Sequence, residues 1–282
     1  MSISYLNGEW QAVEEAKISV LDRGFLFGDG VYEVIPVYKK KPFTLDLHLK
    51  RLNDSLKEIK LSNPRTTQEW TDLIMEGIER SGEQNAALYL QITRGADTKR
   101  NFVYPEKVVH TVFMMVSAAS ILERKVIKPY HFITLEDFRW NKGHIKSISL
   151  IAAGMIKNEA ITQGADDAVL IKNGKVTECS AANIFIVLNG ALITPPKSKY
   201  LLQGITRDQI IKVAISGGIK VEEREITPEE LKQADEMFMT RSTHEAWPVG
   251  SLDGKPIGNG EAGVVWQEVD RLFQALKSEA DS

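Results

Sequence analysis

The sequence predicts a mixed α/β protein, and three observations support that fold class. Asn-Gly pairs between short apolar runs recur, which is the pattern of β-hairpins. Other stretches carry apolar residues three and four apart, the spacing of an amphipathic helix. Because strands outnumber helical crossovers in the second half, an all-parallel sheet of the Rossmann type is not expected. The length of 282 residues is sufficient for one large or two ordinary domains.

The N-terminal half is predicted to contain two hairpins, two helices and two further strands. "SISYLNGEWQAV" turns at Asn7-Gly8, and "VYEVIPVYKKKPFTL" turns between Lys39 and Pro42. "TTQEWTDLIMEGIERSG" is predicted to be a helix that ends at Gly82. The runs "AALYLQITRG" and "HTVFMMVSA" have the length of strands. The other helix is predicted by its apolar residues, namely Leu45, Leu49, Leu52, Leu56 and Ile59.

A domain boundary is expected at "SAASILERKVIK", which is small and polar between two apolar runs. We therefore expect a smaller N-terminal domain at 1–117, a linker at 118–124 and a larger C-terminal domain at 125–282. The C-terminal domain is predicted to begin with a β segment, "PYHFITLEDFRW", followed by a helix, "SLIAAGMIKNEAITQG".

The rest of the C-terminal half is predicted to alternate hairpins and helices. Two hairpins turn at Asn173-Gly174 and Asn189-Gly190. "TPEELKQAD" has the marks of a helix start, because Thr227 can cap it and Glu230 can complete a capping box. "EMFMT" is a short strand, and further helices are expected in "ITRDQIIKVAISGG" and "GEAGVVWQEVDRLFQALKSEA".

Composition argues against several classes of function. The formal net charge of −3 disfavours nucleic-acid binding, which requires a basic face. No apolar run approaches the roughly 20 residues that span a bilayer, and no signal peptide is expected from "MSISYLNGEWQ". A cytoplasmic location is therefore expected. The single cysteine, Cys179, excludes an intrachain disulfide and a cysteine-based metal site. No metal is expected, because the five histidines lack metal-ligand spacing.

Three short motifs do not support the chemistry that they suggest at first sight. "GFLFGDG" has the spacing of neither a dinucleotide fingerprint nor a P-loop. Asp22 and Glu33 match the first and last positions of a calcium loop, but Leu26 and Phe27 occupy positions that need an oxygen ligand and a glycine. Cys179 is a candidate nucleophile, although an isolated cysteine beside small residues is more typical of a core.

Lys146 is the candidate catalytic residue. It lies in "WNKGHIKSISL" with Ile145 and Ile148 around it, and we expect this partly apolar environment to lower its pKa. A lysine with a lowered pKa can form a Schiff base. Lys142, four residues earlier, lies in the more polar "WNKGH" and is expected to be a loop cation.

Other residues, in chain order, match the needs of pyridoxal phosphate. Its ring nitrogen requires a carboxylate, which Glu178 in "VTECSAANIFIV" can supply. Its phosphate requires backbone N–H groups at a helix start together with an arginine or hydroxyls. "LQGITRDQII" offers the helix start with Thr206, "HLKRL" offers Arg51, and "MTRSTHE" offers Ser242. Each signal alone is weak, and their order along the chain is the specific feature.

That order resembles the fold-type-IV enzymes that depend on pyridoxal phosphate. This family contains branched-chain aminotransferases, D-amino acid aminotransferases and aminodeoxychorismate lyases. The resemblance extends over nearly the whole chain. It is carried by "DRGFLFGDGVYEVIPVY", "HLKRL", "QITRG", "EDFRWNKGHIKSISL", "GADDAVLI", "GKVTECSAANIF", "GITRDQII" and "FMTRSTHEAWPV".

The resemblance implies a fold, a cofactor and a set of site residues. The fold is two α/β domains with pyridoxal 5′-phosphate between them, in a homodimer whose subunits share residues across their sites. Lys146 would form the Schiff base and move the proton, and Glu178 would bind the ring nitrogen. Leu202 would pack on the ring. The phosphate would be bound by Arg51, Ile205, Thr206 and Ser242.

Within the family, "DGVYEVIPVYKKKPFTLDLHLKRL" and "GITRDQII" are most similar to D-amino acid aminotransferase. That resemblance implies a transaminase acting on a D-amino acid, such as D-alanine or D-glutamate, with 2-oxoglutarate or pyruvate. Tyr32 would then lie near the substrate carboxylate, with Val34 and Thr243 in the same pocket. An L-branched-chain aminotransferase, an (R)-amine transaminase and the lyase are the alternatives within the family. A binding protein on a former enzyme scaffold is the alternative from another class.

The sequence departs from the family pattern at two substrate positions. The bacterial D-amino acid enzymes carry an Arg-x-His pair after "TRG", whereas this chain reads "TRGADTKRNFVYP". Lys99 or Arg100 aligns with that arginine only across a gap, and no histidine follows. Arg241 occupies a position that usually holds a small residue. We therefore expect Arg241, together with Arg100, to replace the missing carboxylate clamp through a bidentate contact.

Overall fold

The computed structural model describes residues 3–119 and 127–281, which form two compact units. The first unit consists mainly of Met1–Ile121 with Ile145–Leu150, and the second mainly of Leu122–His144 and Ile151–Ala280. The short segment that contains Lys146 therefore belongs to the first unit. Residues 120–126, which include most of the predicted linker and the predicted start of the second domain, lie outside the described residues.

The strands of the first unit form one antiparallel sheet in the order β2-β1-β6-β5-β3-β4. Both predicted hairpins are confirmed, and Asn7 takes the positive φ of 51° that a tight hairpin turn requires. The strands are β1 (Ile3–Leu6), β2 (Glu9–Ala12), β3 (Gly30–Tyr38), β4 (Lys41–Pro42), β5 (Ala86–Thr93) and β6 (Thr111–Ala118).

The first unit has the helices α1 (Arg23–Phe27), α2 (Leu45–Glu58) and α3 (Thr67–Ser81). The two longer helices pack on one face of the sheet. The two longer helices match the sequence prediction, and α3 ends at Gly82, whose φ of 70° only glycine adopts readily. The reciprocal hydrogen bonds of Thr66 and Glu69 form a capping box at the start of α3. The apolar side of α2, with Leu52 and Leu56 fully buried, belongs to the core of the unit.

The two faces of the sheet differ in burial because side chains alternate along each strand. The covered face carries fully buried residues, such as Ile35, Leu90 and Met114. The other face is half-buried and rich in aromatic and polar side chains. We call it the aromatic face, and it consists of Tyr32 and Val34 on β3, Tyr89 and Gln91 on β5, and Phe113 and Met115 on β6.

The second unit contains a mixed sheet. Its strands are β7 (Tyr130–Glu136), β8 (Asp167–Lys172), β9 (Lys175–Cys179), β10 (Asn183–Leu188), β11 (Ala191–Thr194), β12 (Val221–Glu223), β13 (Glu236–Arg241), β14 (Glu245–Leu252) and β15 (Lys255–Pro256). Their order is β12-β11-β10-β13-β14-β7-β8-β9, and β15 pairs with β14. β7 is parallel to β8 and β14, whereas the β8–β9 and β10–β11 hairpins are antiparallel. The expectation of a sheet that is not all-parallel is confirmed.

The helices of the second unit are α4 (Ile151–Thr162), α5 (Ile205–Ser216), α6 (Pro228–Gln233) and α7 (Val264–Asp281). The predicted capping box of α6 is present, since Thr227 and Glu230 exchange hydrogen bonds. Among the helices that the structure describes, none is both long and apolar enough to cross a membrane.

Candidate active site

Lys146 is held beside β3 by the backbone of its own segment. The amide of Tyr32 donates to the carbonyl of Lys146 at 3.0 Å, and Ser147 forms a bridge with Val31. The amide of Lys146 donates to the hydroxyl of Ser55 on α2 at 3.2 Å. Since Ile145 is buried in the core of the first unit, the segment is anchored on both its polar and its apolar sides. Lys142 is exposed and belongs to the second unit.

The side chain of Lys146 is half-buried and lies against an aromatic ring. Its Nζ is 4.3 Å from the centroid of the Tyr32 ring. The ring of Tyr32 in turn stacks on Tyr89, with centroids 5.6 Å apart. The structure therefore brings together two sequence-predicted residues, Lys146 and Tyr32. Val34, also predicted, lies on the same aromatic face and pairs with Tyr89 across the strands.

Arg51 is fixed by a buried carboxylate that sequence analysis did not assign to the site. Glu33 is fully buried and accepts from Nε and Nη2 of Arg51 at 2.8 and 2.7 Å. Nδ1 of His48 lies 2.7 Å from the same carboxylate. Burial alone would raise the pKa of Glu33, but Arg51 and His48 outweigh it and lower the pKa to about 2. Glu33 is therefore an anion that orients the guanidinium of Arg51.

Arg100 lies on an exposed loop of the first unit. Its guanidinium is 5.2 Å from the ring centroids of both Phe27 and Phe102. The buried Arg23 holds this loop, because its guanidinium donates to the backbone carbonyl of Phe102 at 3.2 Å. Arg23 also pairs with Asp29 at 2.8 Å. Arg100 thus belongs to an anchored aromatic loop, a placement that its sequence neighbours did not predict.

In the second unit, Glu178 is a buried carboxylate with several donors. It accepts from Nη1 of Arg139 at 2.7 Å, from the amide of Leu202 at 3.0 Å and from Nδ2 of Asn183 at 3.2 Å. Burial raises the pKa of Glu178 to about 7 in spite of the opposing Arg139. Glu178 can therefore gain or lose a proton near neutral pH, depending on its partners.

Arg139 is itself oriented by a second carboxylate, Asp137. Two hydrogen bonds of 2.9 and 2.8 Å join the guanidinium to Asp137 in a bidentate pair. Thr177, next to Glu178 on β9, donates to the same carboxylate at 2.8 Å. This network fixes the direction from which Arg139 approaches Glu178. Both residues lie in "EDFRW", and no local pattern in the sequence predicts their role.

The N-terminus of α5 begins at a residue that cannot cap the helix with a side chain. Gly204 is the N-cap and has no side chain that could accept from the first turn. The amides of Ile205 and Thr206 therefore lie at the positive end of the helix dipole without a cap from this residue. Asn183 links this turn to Glu178, since its Nδ2 also donates to the carbonyl of Leu202 at 2.9 Å. A Cβ at Gly204 would lie only 1.9 Å from Oδ1 of Asn183, so the close approach requires glycine.

The hydroxyls of Ser242 and Thr243 lie in the turn between β13 and β14. Ser242 is half-buried, whereas Thr243 is exposed and its hydroxyl is 3.1 Å from Nδ1 of His244. These residues follow Arg241, the last residue of β13. The turn presents small polar side chains, as the sequence predicted, and its place beside other site residues remains a prediction.

Arg241 lies on a different face of its strand from the Glu178 network. By alternation it shares a face of β13 with Met237 and Met239, which are buried in the core of the second unit. Burial lowers the pKa of Arg241, and the groups that oppose this effect are Tyr130, Asp167 and Cys179. Cys179 points to the opposite side of β9 from Glu178. The Nε of Arg241 is buried without a hydrogen-bond partner among the described residues, and the substrate role of this residue stays a prediction.

Comparison with known proteins shows that residues 30–252 of this chain match the model of the amino-transferase class IV family. The matched range contains Lys146, Glu178 and the start of α5.

Several bacterial D-alanine aminotransferases are similar to this chain. The enzyme of Listeria monocytogenes serotype 1/2a (strain 10403S) is 36% identical over 92% of this chain and 91% of its own length. The enzyme of Staphylococcus haemolyticus is 34% identical over 97% of both chains.

Solved structures of branched-chain amino acid aminotransferases have the same fold as this chain. The Escherichia coli enzyme has a TM-score of 0.90 at 27% identity, covering 97% of this chain and 94% of its own. A T.th. enzyme solved with pyridoxamine 5′-phosphate has a TM-score of 0.90 at 30% identity, covering 98% of this chain and 94% of its own.

Proposed function

Because the chain belongs to the class IV aminotransferase family, we propose that it is a D-amino acid transaminase. It would move the amino group of a D-amino acid, such as D-alanine or D-glutamate, to 2-oxoglutarate or pyruvate. The observation that carries the reaction type is Lys146, whose half-buried amine lies over Tyr32. The substrate class is supported by the D-alanine aminotransferases, which match over nearly the whole chain.

The residues present fit a cofactor of the pyridoxal phosphate family, and we assign pyridoxal 5′-phosphate itself. When bound, this group withdraws electrons from the amino carbon of the substrate. The first turn of α5, with Ile205 and Thr206, would bind the phosphate together with Ser242. Arg51, already oriented by Glu33, is the arginine that we propose for the phosphate.

Lys146 would carry the proton transfer of the reaction. Its Nζ would take the proton from Cα of the amino donor and pass it to the cofactor, and in the second half it would carry a proton back from the cofactor to Cα of the new amino acid. The backbone of Lys146 is held by hydrogen bonds with Tyr32 and Ser55, so Nζ can move only by rotation of the side chain. This confinement limits the entropy lost when the amine reaches the reacting carbon.

Glu178 would bind the ring nitrogen of the cofactor, and Leu202 would pack on the ring. A carboxylate suits this role because it favours a protonated nitrogen, which makes the ring a better electron acceptor. The amide of Leu202 and the side chain of Asn183 hold the carboxylate in one orientation. Its pKa of about 7 allows it to share a proton with a basic partner near neutral pH.

We propose Tyr32, Val34, Arg100, Arg241 and Thr243 as substrate-binding residues. The aromatic face supports Tyr32 and Val34, since Lys146 lies over the former. For Arg241, the support is a mostly buried guanidinium whose Nε has no partner among the described residues, and such a group is stabilised by an anion.

The alternatives within the family differ in substrate or in the need for an amino acceptor. Two solved branched-chain aminotransferases are 27% and 30% identical to this chain, whereas two D-alanine aminotransferases are 36% and 34% identical, which favours the D-amino acid interpretation. The test is a panel of D-amino acids, L-amino acids and (R)-amines with 2-oxoglutarate or pyruvate. We expect acceptor-dependent turnover of D-alanine and D-glutamate. Faster turnover of L-leucine, or pyruvate release without an acceptor, would assign another member of the family.

We also propose that the protein is a cytoplasmic homodimer. Apolar side chains exposed in the first unit include Phe25, Phe102 and Val109, each at least 67% exposed. In the second unit, Ile151 and Met155 are exposed one helical turn apart on α4. A contact between subunits would remove these apolar side chains from water. Sedimentation equilibrium should give twice the chain mass of 31.6 kDa, and a monomer at micromolar concentration would contradict the proposal.

A further inference from the structure

The neighbours of Tyr32 on the aromatic face include a polar pair that has no assigned role. Gln91 on β5 is the direct cross-strand partner of Tyr32 on β3, and both are half-buried. Directly paired side chains lie on the same face of a sheet, with Cβ atoms about 5 Å apart. Gln91 therefore lies directly across the strands from the residue whose ring Lys146 covers.

The orientation of the Gln91 amide is set by Tyr89. The phenol of Tyr89 donates to Oε1 of Gln91 at 2.6 Å. Burial, with a smaller contribution from Tyr32, raises the pKa of Tyr89 to about 12. The phenol therefore stays protonated at neutral pH and remains a donor. Because the amide oxygen is engaged by Tyr89, the two N–H donors of Gln91 point away from it.

We propose that Gln91 is a specificity-determining residue whose amide N–H donates to the α-carboxylate of the amino acid substrate. This inference rests on the proposed function. Nζ of Lys146 must reach Cα of the substrate, and the α-carboxylate is bonded directly to that carbon. Tyr32 lies beside Nζ and Gln91 lies opposite Tyr32, so a donor at Gln91 is well placed for that carboxylate.

The chemistry of the pair suits an anion at this position. A glutamine amide supplies neutral donors at every pH, and a carboxylate is an acceptor that such donors bind more strongly than a neutral group. Tyr89 prevents the amide from rotating its oxygen toward the anion, which would be repulsive. The loop "TRGADTKRNF" lacks the histidine of the usual clamp, and Gln91 would supply a neutral donor beside the proposed Arg100 and Arg241.

The test uses the cofactor-loaded enzyme and the variants Gln91→Leu, Gln91→Glu and Tyr89→Phe. Apparent dissociation constants are measured from the change in cofactor absorbance on titration with D-alanine, D-glutamate or D-alaninol. D-alaninol replaces the α-carboxylate of D-alanine by a hydroxymethyl group. Gln84→Glu is the control for the charge change, because this exposed residue of the same unit lies just before β5.

Gln91→Leu should weaken the binding of D-alanine and D-glutamate by about 10- to 100-fold, the usual effect of losing one hydrogen bond to a charged group. The dissociation constant of D-alaninol should change by less than about threefold, since a neutral hydroxyl makes a weaker hydrogen bond. Gln91→Glu should bind both amino acids more weakly than Gln91→Leu does, because the two carboxylates repel each other. Tyr89→Phe should also weaken the binding of both amino acids, but to a smaller extent. KM should rise with little change in kcat, because the contact is made in the ground state and the transition state alike.

Other outcomes would overturn the inference. Equal weakening of all three ligands would show a general loss of packing, and weakening of D-glutamate alone would assign Gln91 to the distal carboxylate. Normal affinity of Gln91→Leu for D-alanine would remove the residue from the site. Failure of the proposed function is distinguishable, because the wild-type enzyme would then bind and turn over no D-amino acid.

Discussion

Glu33→Gln tests the buried charge cluster of the first unit most sharply. In the folded protein the carboxylate accepts three hydrogen bonds of 2.7 to 2.8 Å, two from Arg51 and one from His48. Glutamine has the same shape but only one acceptor oxygen, and its NH₂ group would face a donor of Arg51 or His48. The substitution therefore leaves a mostly buried guanidinium opposite a neutral, partly mismatched group.

The expected magnitude follows from the pKa of Glu33. A shift from 4.5 to about 2 corresponds to about 3 kcal/mol of stability, since each unit is worth about 1.4 kcal/mol. Because the pKa is lowered by folding, this contribution is fully present above pH 4.5 and is lost as the pH falls through about 2. Breaking a buried ion pair typically costs about 3 to 5 kcal/mol, which agrees. At pH 7, Glu33→Gln should lower the free energy of unfolding by about 3 kcal/mol.

The assay is urea unfolding at pH 7, with Glu76→Gln as the matched control. Glu76 pairs with Arg80 on the surface of α3, where both side chains are nearly half exposed, so its loss should cost less than about 0.5 kcal/mol. Glu33→Gln should also weaken cofactor binding, because Arg51 loses the group that orients it. If Glu33→Gln were no more destabilising than Glu76→Gln, the reasoning about this cluster would be wrong.

Three further changes test the rest of the site. Lys146→Ala should abolish the visible absorbance of the bound cofactor and lower turnover by at least about a thousandfold, whereas Lys142→Ala should keep both; the reverse result would contradict the assignment. In the cofactor-free protein, Glu178→Gln should gain stability relative to wild type by about 3 kcal/mol as the pH rises from 4.5 to about 7. The reason is that the raised pKa of Glu178 stabilises the wild-type protein below pH 4.5, and this stabilisation is lost as the pH rises through about 7. A difference in unfolding free energy between the two proteins that does not change with pH would count against it. Gly204→Ala should weaken cofactor affinity by at least about tenfold in a fluorescence titration, because its Cβ would lie 1.9 Å from Asn183; normal affinity would show that this turn does not bind the phosphate.

Features that depend on a few adjacent residues were predicted from the sequence. The hairpin at Asn7-Gly8 and the capping box of Thr227 and Glu230 are examples, because a turn or a cap is encoded within four residues. The family was also predicted, and the prediction is confirmed by the match to the class IV aminotransferase family model and by the similar D-alanine aminotransferases. That prediction used the order of several motifs rather than any single one.

Features that depend on tertiary pairing could not be predicted. The segment Ile145–Leu150 joins the first unit because it pairs with β3, and no local pattern encodes that choice. Glu33 was considered only as a calcium ligand, although its alternation with Ile35 on β3 marks it as a residue of the covered face. Arg241 was expected to bind the substrate carboxylate, which stays a prediction; that it shares a face of β13 with Met237 and Met239 is known only from the structure.

The most direct test of the account compares D-alanine with L-leucine as amino donors to 2-oxoglutarate. Initial rates are measured with purified, cofactor-loaded wild-type enzyme and with Lys146→Ala. The account predicts that wild type forms pyruvate and glutamate from D-alanine, that L-leucine is turned over far more slowly, and that Lys146→Ala is inactive with both. Faster transamination of L-leucine, or retained activity in Lys146→Ala, would contradict it.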